Sequence, residues 1–238
     1  MVDHTVKAFT EQLEALSSSI AQMGGLAEAQ FADAIEAVSR RDTARAEAVV
    51  GGDRRVDELQ QQIEEQALRL LALRQPMAVD LRETLAAIKT AGELERIGDL
   101  AKNIAKRAIV LNREPPIRLT QSLARMGGQT LSQLKLVLDA YSDRDAESAE
   151  MVWKQDGDID EMYNSLFREL LTYMMEDPRT IGLCTHLLFI AKNMERAGDH
   201  CTNIAEVVYH MVTGGHLAAD RPKADLTSQT SIPFAKKA

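Results

Sequence analysis

The chain has 238 residues, 45% apolar, 27% charged and only 4% aromatic, and its 28 Lys and Arg against 36 Asp and Glu leave a net charge of −8. Gly and Pro are sparse while Ala, Leu, Glu, Arg, Gln and Met dominate, which disfavours a β-sandwich and points to an all-α fold. The acidic balance argues against nucleic acid or an anionic bilayer as partner, and no apolar run reaches the roughly 18 residues of a membrane span.

A first helix is expected from Val6 to Ser39, with Asp42 placed to cap the next. The second spans Thr43 to Leu73, where Val56, Ile63 and Leu70 recur at heptad spacing with Leu59 and Ala67 between them. Pro76 interrupts that pattern, and a third helix runs on to Leu111. Glu114-Pro115-Pro116-Ile117 reads as a junction. The fourth helix extends from Arg118 to Tyr141, Asp145 caps the fifth, Pro178 interrupts, and the sixth ends near Val212. Beyond Gly214 the composition is polar and aperiodic, so residues 214–238 are expected to form a disordered tail. Cys184 and Cys201 make no disulfide framework or metal pair, and the opening Met1-Val2-Asp3-His4-Thr5 lacks a secretory pattern; both favour a reducing cytoplasm.

The sequence repeats itself. Leu16-Ser-Ser-Ser-Ile-Ala-Gln-Met-Gly-Gly25 matches Leu119-Thr-Gln-Ser-Leu-Ala-Arg-Met-Gly-Gly128, 103 residues later, and Asp53-x-x-Val-Asp57 matches Asp156-x-x-Ile-Asp160 at the same offset. Further along the offset becomes 100, joining Glu95-Arg-Ile-Gly-Asp99 to Glu195-Arg-Ala-Gly-Asp199. Two tandem three-helix bundles result, 1–114 and 118–213, six long antiparallel helices in two similar triplets.

The repeat carries four acidic i, i+4 pairs: Asp53/Asp57, Glu95/Asp99, Asp156/Asp160 and Glu195/Asp199. Members of such a pair are neighbours on a helix surface, and like charges there repel. The centres of the first two pairs lie equally far from Pro76, and those of the last two nearly so from Pro178. Helices folded back at those prolines therefore bring the pairs level. Glu195 prolongs a line of Ala191, Leu188, Cys184 and Ile181, and Glu95 one of Ala91, Ile88, Thr84 and Leu81; yet Ile97, Leu100, Ile104 and Leu111 offer a rival packed face that would leave the acids in an exposed groove. Four converging carboxylates need compensation. A divalent cation is one solution, and all-oxygen donors suit Mg²⁺, Mn²⁺ or iron, with bridging carboxylates able to hold more than one ion. The plainer alternative pairs these acids with Arg54, Arg55, Arg96 and Arg196 on a solvated face.

Other signals are weaker. No Glu-x-x-His motif of ferritin-like di-iron proteins occurs. His200 has Leu100 as its counterpart and reads as a neighbour of the acids rather than a ligand; Glu206 and His210 read as surface, and Met162, Met174 and Met175 as core filling. Gly24-Gly25 and Gly127-Gly128 mark close helix crossings rather than phosphate loops.

Glu93-Leu-Glu-Arg-Ile-Gly-Asp-Leu-Ala-Lys-Asn-Ile-Ala105, its counterpart Asn193-Met-Glu-Arg-Ala-Gly-Asp-His-Cys-Thr-Asn-Ile-Ala205 and Arg74-Gln-Pro-Met-Ala-Val-Asp-Leu-Arg82 resemble the PhoU family of bacterial phosphate regulators over Val6 to about Val212. The resemblance implies two three-helix bundles related by an internal pseudo-two-fold, with metal clusters held by Asp53, Asp57, Glu95 and Asp99 and by Asp156, Asp160, Glu195 and Asp199. It further implies a cytoplasmic, non-enzymatic negative regulator, homodimeric, reaching the membrane only through partners: the phosphate ABC transporter, at its ATPase subunit, and a sensor histidine kinase. A helical metalloenzyme and a metal-free structural adaptor are the alternatives.

Overall fold

The computed structural model describes residues 2–74, 77–115 and 120–217. It contains α1 (Val2–Ser39), α2 (Thr43–Gly52), α3 (Arg54–Arg74), α4 (Val79–Leu111), α5 (Thr120–Asp143), α6 (Ala146–Lys154), α7 (Asp156–Glu176) and α8 (Ile181–Thr213). A short 3-10 turn, Pro178–Thr180, precedes α8, and the Asp177 side chain accepts the Arg179 N–H to open it. Among the described residues there is no strand, and the all-α expectation holds. Pro76, Pro116, Ile117 and the tail from 218 onward lie outside the described residues.

Sequence periodicity located the six rods, but two of them are interrupted. The expected helix from Thr43 to Leu73 breaks at Asp53 into α2 and α3, and its counterpart breaks at Gln155 into α6 and α7. Gly51-Gly52 and Gly157 contribute poor helix formers at both places, and those residues are the sequence signal for the break. On α3 the heptad positions Val56, Leu59, Ile63, Ala67 and Leu70 are all buried.

Packing places α4 along α1 and α8, and α5 along α1 and α8, so α1, α4, α8 and α5 close a central four-helix layer. The α2–α3 rod covers the groove between α1 and α4, and α6–α7 covers that between α8 and α5. Helices α4 and α8 run antiparallel: Arg82 donates to the Met211 carbonyl at 3.3 Å, Glu93 meets His200 at 2.7 Å, and Arg107 meets His186 at 3.3 Å. A helix enclosed on several sides needs small side chains to let its neighbours approach. Accordingly α4 buries Ala86, Ala87, Ala91, Ala101, Ala105 and Ala108, and α8 buries Ala191, Ala197, Gly198 and Ala205. One continuous apolar core runs through both repeats.

The paired glycines behave as crossings. A Cβ at Gly127 would stand 2.8 Å from Ile35, and one at Gly24 would run into Leu138, whereas Gly25 and Gly128 face open space. Asp42 and Asp145 cap as expected: Asp42 accepts the Arg45 N–H at 3.0 Å, and Asp145 accepts the Glu147 and Ser148 N–H groups at 2.9 and 3.2 Å. Before each cap an arginine, Arg41 or Arg144, takes a left-handed backbone with φ of 56° or 54°. Met162 and Met174 pack against the core, but Met175 is 66% exposed, contrary to the expectation that it fills the core. Met174 continues the buried line of Ile159, Tyr163, Leu166 and Leu170 on α7, and Met175, about 100° further round the helix, faces solvent. No helix among the described residues is long and apolar enough to cross a membrane.

Candidate metal centres

The break in each second rod falls beside an aspartate. At the first, Asp53 keeps helical dihedrals, but the Val56 N–H bonds its carbonyl at 2.9 Å, tightening the turn. At the second, Gln155 departs from the helix, and the Gln133 side chain donates to its carbonyl at 3.0 Å. Asp53 and Asp156 are thereby buried under the start of α3 and α7 rather than splayed to solvent.

Cluster one contains Asp53, half-buried Asp57 and Glu95, and exposed Asp99. Burial first, then the charge of Asp53, raises the pKa of Asp57; burial, then Asp99, Asp57 and Asp53, raises that of Glu95. Those mutual repulsions place the four carboxylates in one neighbourhood. The Lys102 ammonium enters it, donating to Asp53 and, at 3.1 Å, to Asp99. These bonds, Asp53's foremost, hold the ammonium protonated well above its ordinary range.

Cluster two is drier. Asp156, Asp160 and Glu195 are buried and Asp199 is half-buried. Thr202, the counterpart of Lys102, donates its hydroxyl to Asp156 at 2.8 Å. Lys192 lies 2.9 Å from Glu195, with its ammonium 5.0 Å from the centre of the Tyr163 ring. Burial dominates at Glu195: despite Lys192, and reinforced by Asp199 and Asp160, it pushes the pKa up to about 7.

Of the apolar line that Glu95 prolongs, Ala91 and Thr84 are buried, Ile88 is half-buried and Leu81 is exposed; of the line that Glu195 prolongs, Ala191 and Cys184 are buried, Leu188 is half-buried and Ile181 is exposed, because both lines run out toward the helix starts. Ala91 and Thr84 are buried on one side of α4, and Ile97, Leu100 and Ile104 on the other, since α4 belongs to the central layer. The neighbouring arginines turn elsewhere. Arg54 and Arg55 pair with Glu58 at 3.2 and 3.5 Å, and Arg96 with Glu93 at 3.7 Å, so the simple charged-face reading is not realised at these three positions. His200 faces away from the acids, toward Glu93, which also accepts from Asn203 at 3.0 Å; these bonds hold Glu93 below its ordinary pKa although burial alone would raise it. Glu206 is exposed and accepts from the Trp153 indole at 3.1 Å.

Residues outside the acidic motifs complete the site. Lys102 and Lys192 were legible only as charges one turn from a predicted acid, with no sign of their direction. Gln30 and Gln133, equivalent at the 103-residue offset, are buried beneath the clusters beside Gly98 and Gly198; the glycines leave room for those amides. The Oε1 atoms of both glutamines lack a hydrogen-bond partner within the protein. Among the described residues, no three His, Cys, Asp or Glu side chains close tightly enough to hold an ion in this arrangement. The donor set itself suits a hard cation: each cluster offers four carboxylates and no thiolate.

The family model described as "PhoU domain" matches residues 20–108 and 123–208, one match in each repeat. A relative from Caulobacter vibrioides, "Phosphate-specific transport system accessory protein PhoU homolog", is 56% identical over 96% of this chain and 100% of its own length. The Escherichia coli "Phosphate-specific transport system accessory protein PhoU" is 38% identical over 89% of this chain and 88% of its own. The crystal structure of PhoU from Pseudomonas aeruginosa superposes with a TM-score of 0.85 at 38% identity, covering 87% of this chain and 100% of that one. That of the phosphate transport system regulatory protein PhoU from Streptococcus pneumoniae gives 0.81 at 29% identity, covering 88% and 99%. With a family match in both repeats, relatives aligned nearly end to end and the same fold in solved structures, the chain belongs to the PhoU family.

Proposed function

We propose that this protein is an accessory regulator of phosphate uptake that restrains the phosphate-starvation response by coupling a phosphate ABC transporter, at its ATPase subunit, to a sensor histidine kinase. The observation that carries the reading is the nearly end-to-end match to relatives named as accessory proteins of the phosphate-specific transport system. The chain acts in the cytoplasm as a homodimer, reaches the membrane through its partners and catalyses no reaction of its own.

The two carboxylate clusters supply the physical device. Asp53, Asp57, Glu95 and Asp99, and Asp156, Asp160, Glu195 and Asp199, would hold Mg²⁺, Mn²⁺ or iron-type ions. Such an ion neutralises the repulsion and ties the second rod of each repeat to the third, since each cluster draws acids from α3 and α4 or from α7 and α8. A fixed spacing between those helices gives the partners one surface to bind. Differential binding of that surface then shifts the kinase toward its phosphatase state.

The test replaces Glu95, Asp99, Glu195 and Asp199 together by Gln and Asn. Metal content by elemental analysis falls and a phosphate-starvation reporter switches on in phosphate-replete cells. Unchanged metal content removes the cation role, and a reporter that stays silent on deletion of the whole gene removes the regulatory one. A metal-free adaptor is the second reading, favoured by the ammonium already seated in cluster one; it expects chelator to leave both melting and partner binding unaltered.

A further inference from the structure

We infer that the cavity between the start of α4 and the end of α8 is a binding site for a small phosphoryl dianion, either inorganic phosphate or a small phosphate ester. The inference goes beyond the cation reading above and uses none of the clustered carboxylates.

The cavity has a volume of about 280 Å³. Arg82 and Lys89 reach it from α4, Asn203, Glu206 and His210 from α8, and His216 from the segment that follows. Two cations against one carboxylate leave this lining positive before either imidazole is protonated, in a chain of net charge −8. Arg82 is fixed at two points. Its Nε donates to the Met211 carbonyl at 3.3 Å, and its guanidinium lies against Gly214, where a Cβ would stand 3.4 Å from Nη1. Gly214 takes a left-handed φ of 73°, so the turn that ends α8 and the approach of the arginine need the same residue. Both Nη groups then remain as donors. Lys89 is exposed and pairs with no acid among the described residues.

His210 donates its Nδ1–H to the Gly215 carbonyl at 3.0 Å, an acceptor only, and His216 stacks on it with ring centres 4.7 Å apart. Protonation of either ring adds a charged donor at the cavity wall. A helix C-terminus ordinarily repels an anion through its free carbonyls. Those in the last turn of α8 are engaged: the Thr213 hydroxyl donates to Tyr209 at 2.8 Å, the Gly214 N–H to His210 at 2.8 Å, and Arg82 to Met211.

Donors thus converge from two helices and a loop rather than in one plane, which suits a tetrahedral oxyanion better than a flat carboxylate. Guanidinium and ammonium groups are the usual partners of phosphoryl oxygens. Drug-sized ligands occupy about 300–1,000 Å³, so this cavity takes phosphate or a short ester, whose carbons would rest on Leu85 and Val207, but not a nucleotide.

The opposite end of the α4–α8 seam holds a matching cavity with other chemistry. At the 100-residue offset Gly182 replaces Arg82, Phe189 replaces Lys89 and Val110 replaces His210. Val110 and Gly182 line that second cavity, and its arginine, Arg179, is already bonded twice to Asp177 at 3.0 Å. The anion site therefore depends on side chains that only one end carries.

Metal-stripped full-length protein in chloride buffer is titrated with inorganic phosphate, glycerol phosphate and sulfate by isothermal calorimetry. Saturable binding at a single site is expected, and the tighter of the two phosphoryl ligands identifies the source. Lys89→Gln weakens it at least about tenfold, the effect of one charge-assisted contact. Arg82→Lys, which keeps the charge and loses the fork, weakens it by at least about the same factor. Arg96→Gln removes a charge elsewhere on α4 and leaves affinity unaltered; circular dichroism verifies that every variant is folded. Absence of saturable binding, binding that neither cavity variant changes, or a loss that Arg96→Gln reproduces overturns the inference. Sulfate binding tighter than that of both phosphoryl ligands overturns the assignment to a phosphoryl group.

Discussion

Replacing Glu195 by glutamine keeps the shape of a side chain that is only 5% exposed and removes its charge. The carboxyl ionises near 4.5 in the unfolded chain, while burial above all, with Asp199 and Asp160 adding to it, pushes it up to about 7 in the fold against the attraction of Lys192. Between those values the folded state keeps a proton that the unfolded state has released, so stability falls as pH rises. Moving the pKa by about 2.5, at about 1.4 kcal/mol each, sets a loss of ~3 kcal/mol that is complete above about pH 8 and absent below about pH 4. Urea unfolding followed by circular dichroism, with chelator present throughout, reads this directly. The wild type should lose ~3 kcal/mol relative to Glu195→Gln between about pH 4 and pH 8, or roughly 6–12 °C in melting temperature for a chain of this size. Curves for the two proteins that stay parallel across the range would show that the carboxyl is ionised without penalty, and the account of cluster two as a dry, repulsive group would fail.

Adjacent glycines on α5 should respond with opposite signs. Gly128→Ala meets open space and gains ~1 kcal/mol from helix propensity, whereas Gly127→Ala places a methyl 2.8 Å from Ile35, a β-branched side chain with little freedom to move, and loses a net ~1–2 kcal/mol. Urea midpoints that shift alike would refute the close α1–α5 approach. Asp145→Ala removes the acceptor for two N–H groups at the start of α6 and should cost ~1 kcal/mol by the same measurement; an unshifted midpoint would mean that water replaces the cap without loss.

Much of this architecture was legible because a duplicated chain states each instruction twice. The heptad of Val56, Ile63 and Leu70 located the covering rod, and Asp42 and Asp145 marked where it begins. Four acidic pairs at matched offsets were enough to foresee two clusters. The breaks at Asp53 and Gln155 are masked because periodicity continues through them: Val56 and Ile159 stay in phase with the core on the far side, so only the glycines hint at the interruption. Choosing between the two faces of α4 was impossible from one helix, since enclosure by α1, α3 and α8 buries both. The role of Lys102 is hidden from the sequence for a related reason. Spacing places a lysine near Asp99, but its reach to Asp53 depends on the tertiary fold.

The seam between α4 and α8 holds a contact with no mirror image. Glu93 grips His200 and Asn203, yet the pseudo-two-fold carries Glu93 onto Asn193 and His200 onto Leu100, a pair unable to form an ion contact. Two identical subunits meeting across a true dyad are bound to repeat every lock and every flaw on both sides. Covalent fusion lifts that obligation. A single polypeptide can specialise one half for adhesion and the other for accommodation, fixing which end of the molecule is which for whatever docks against it.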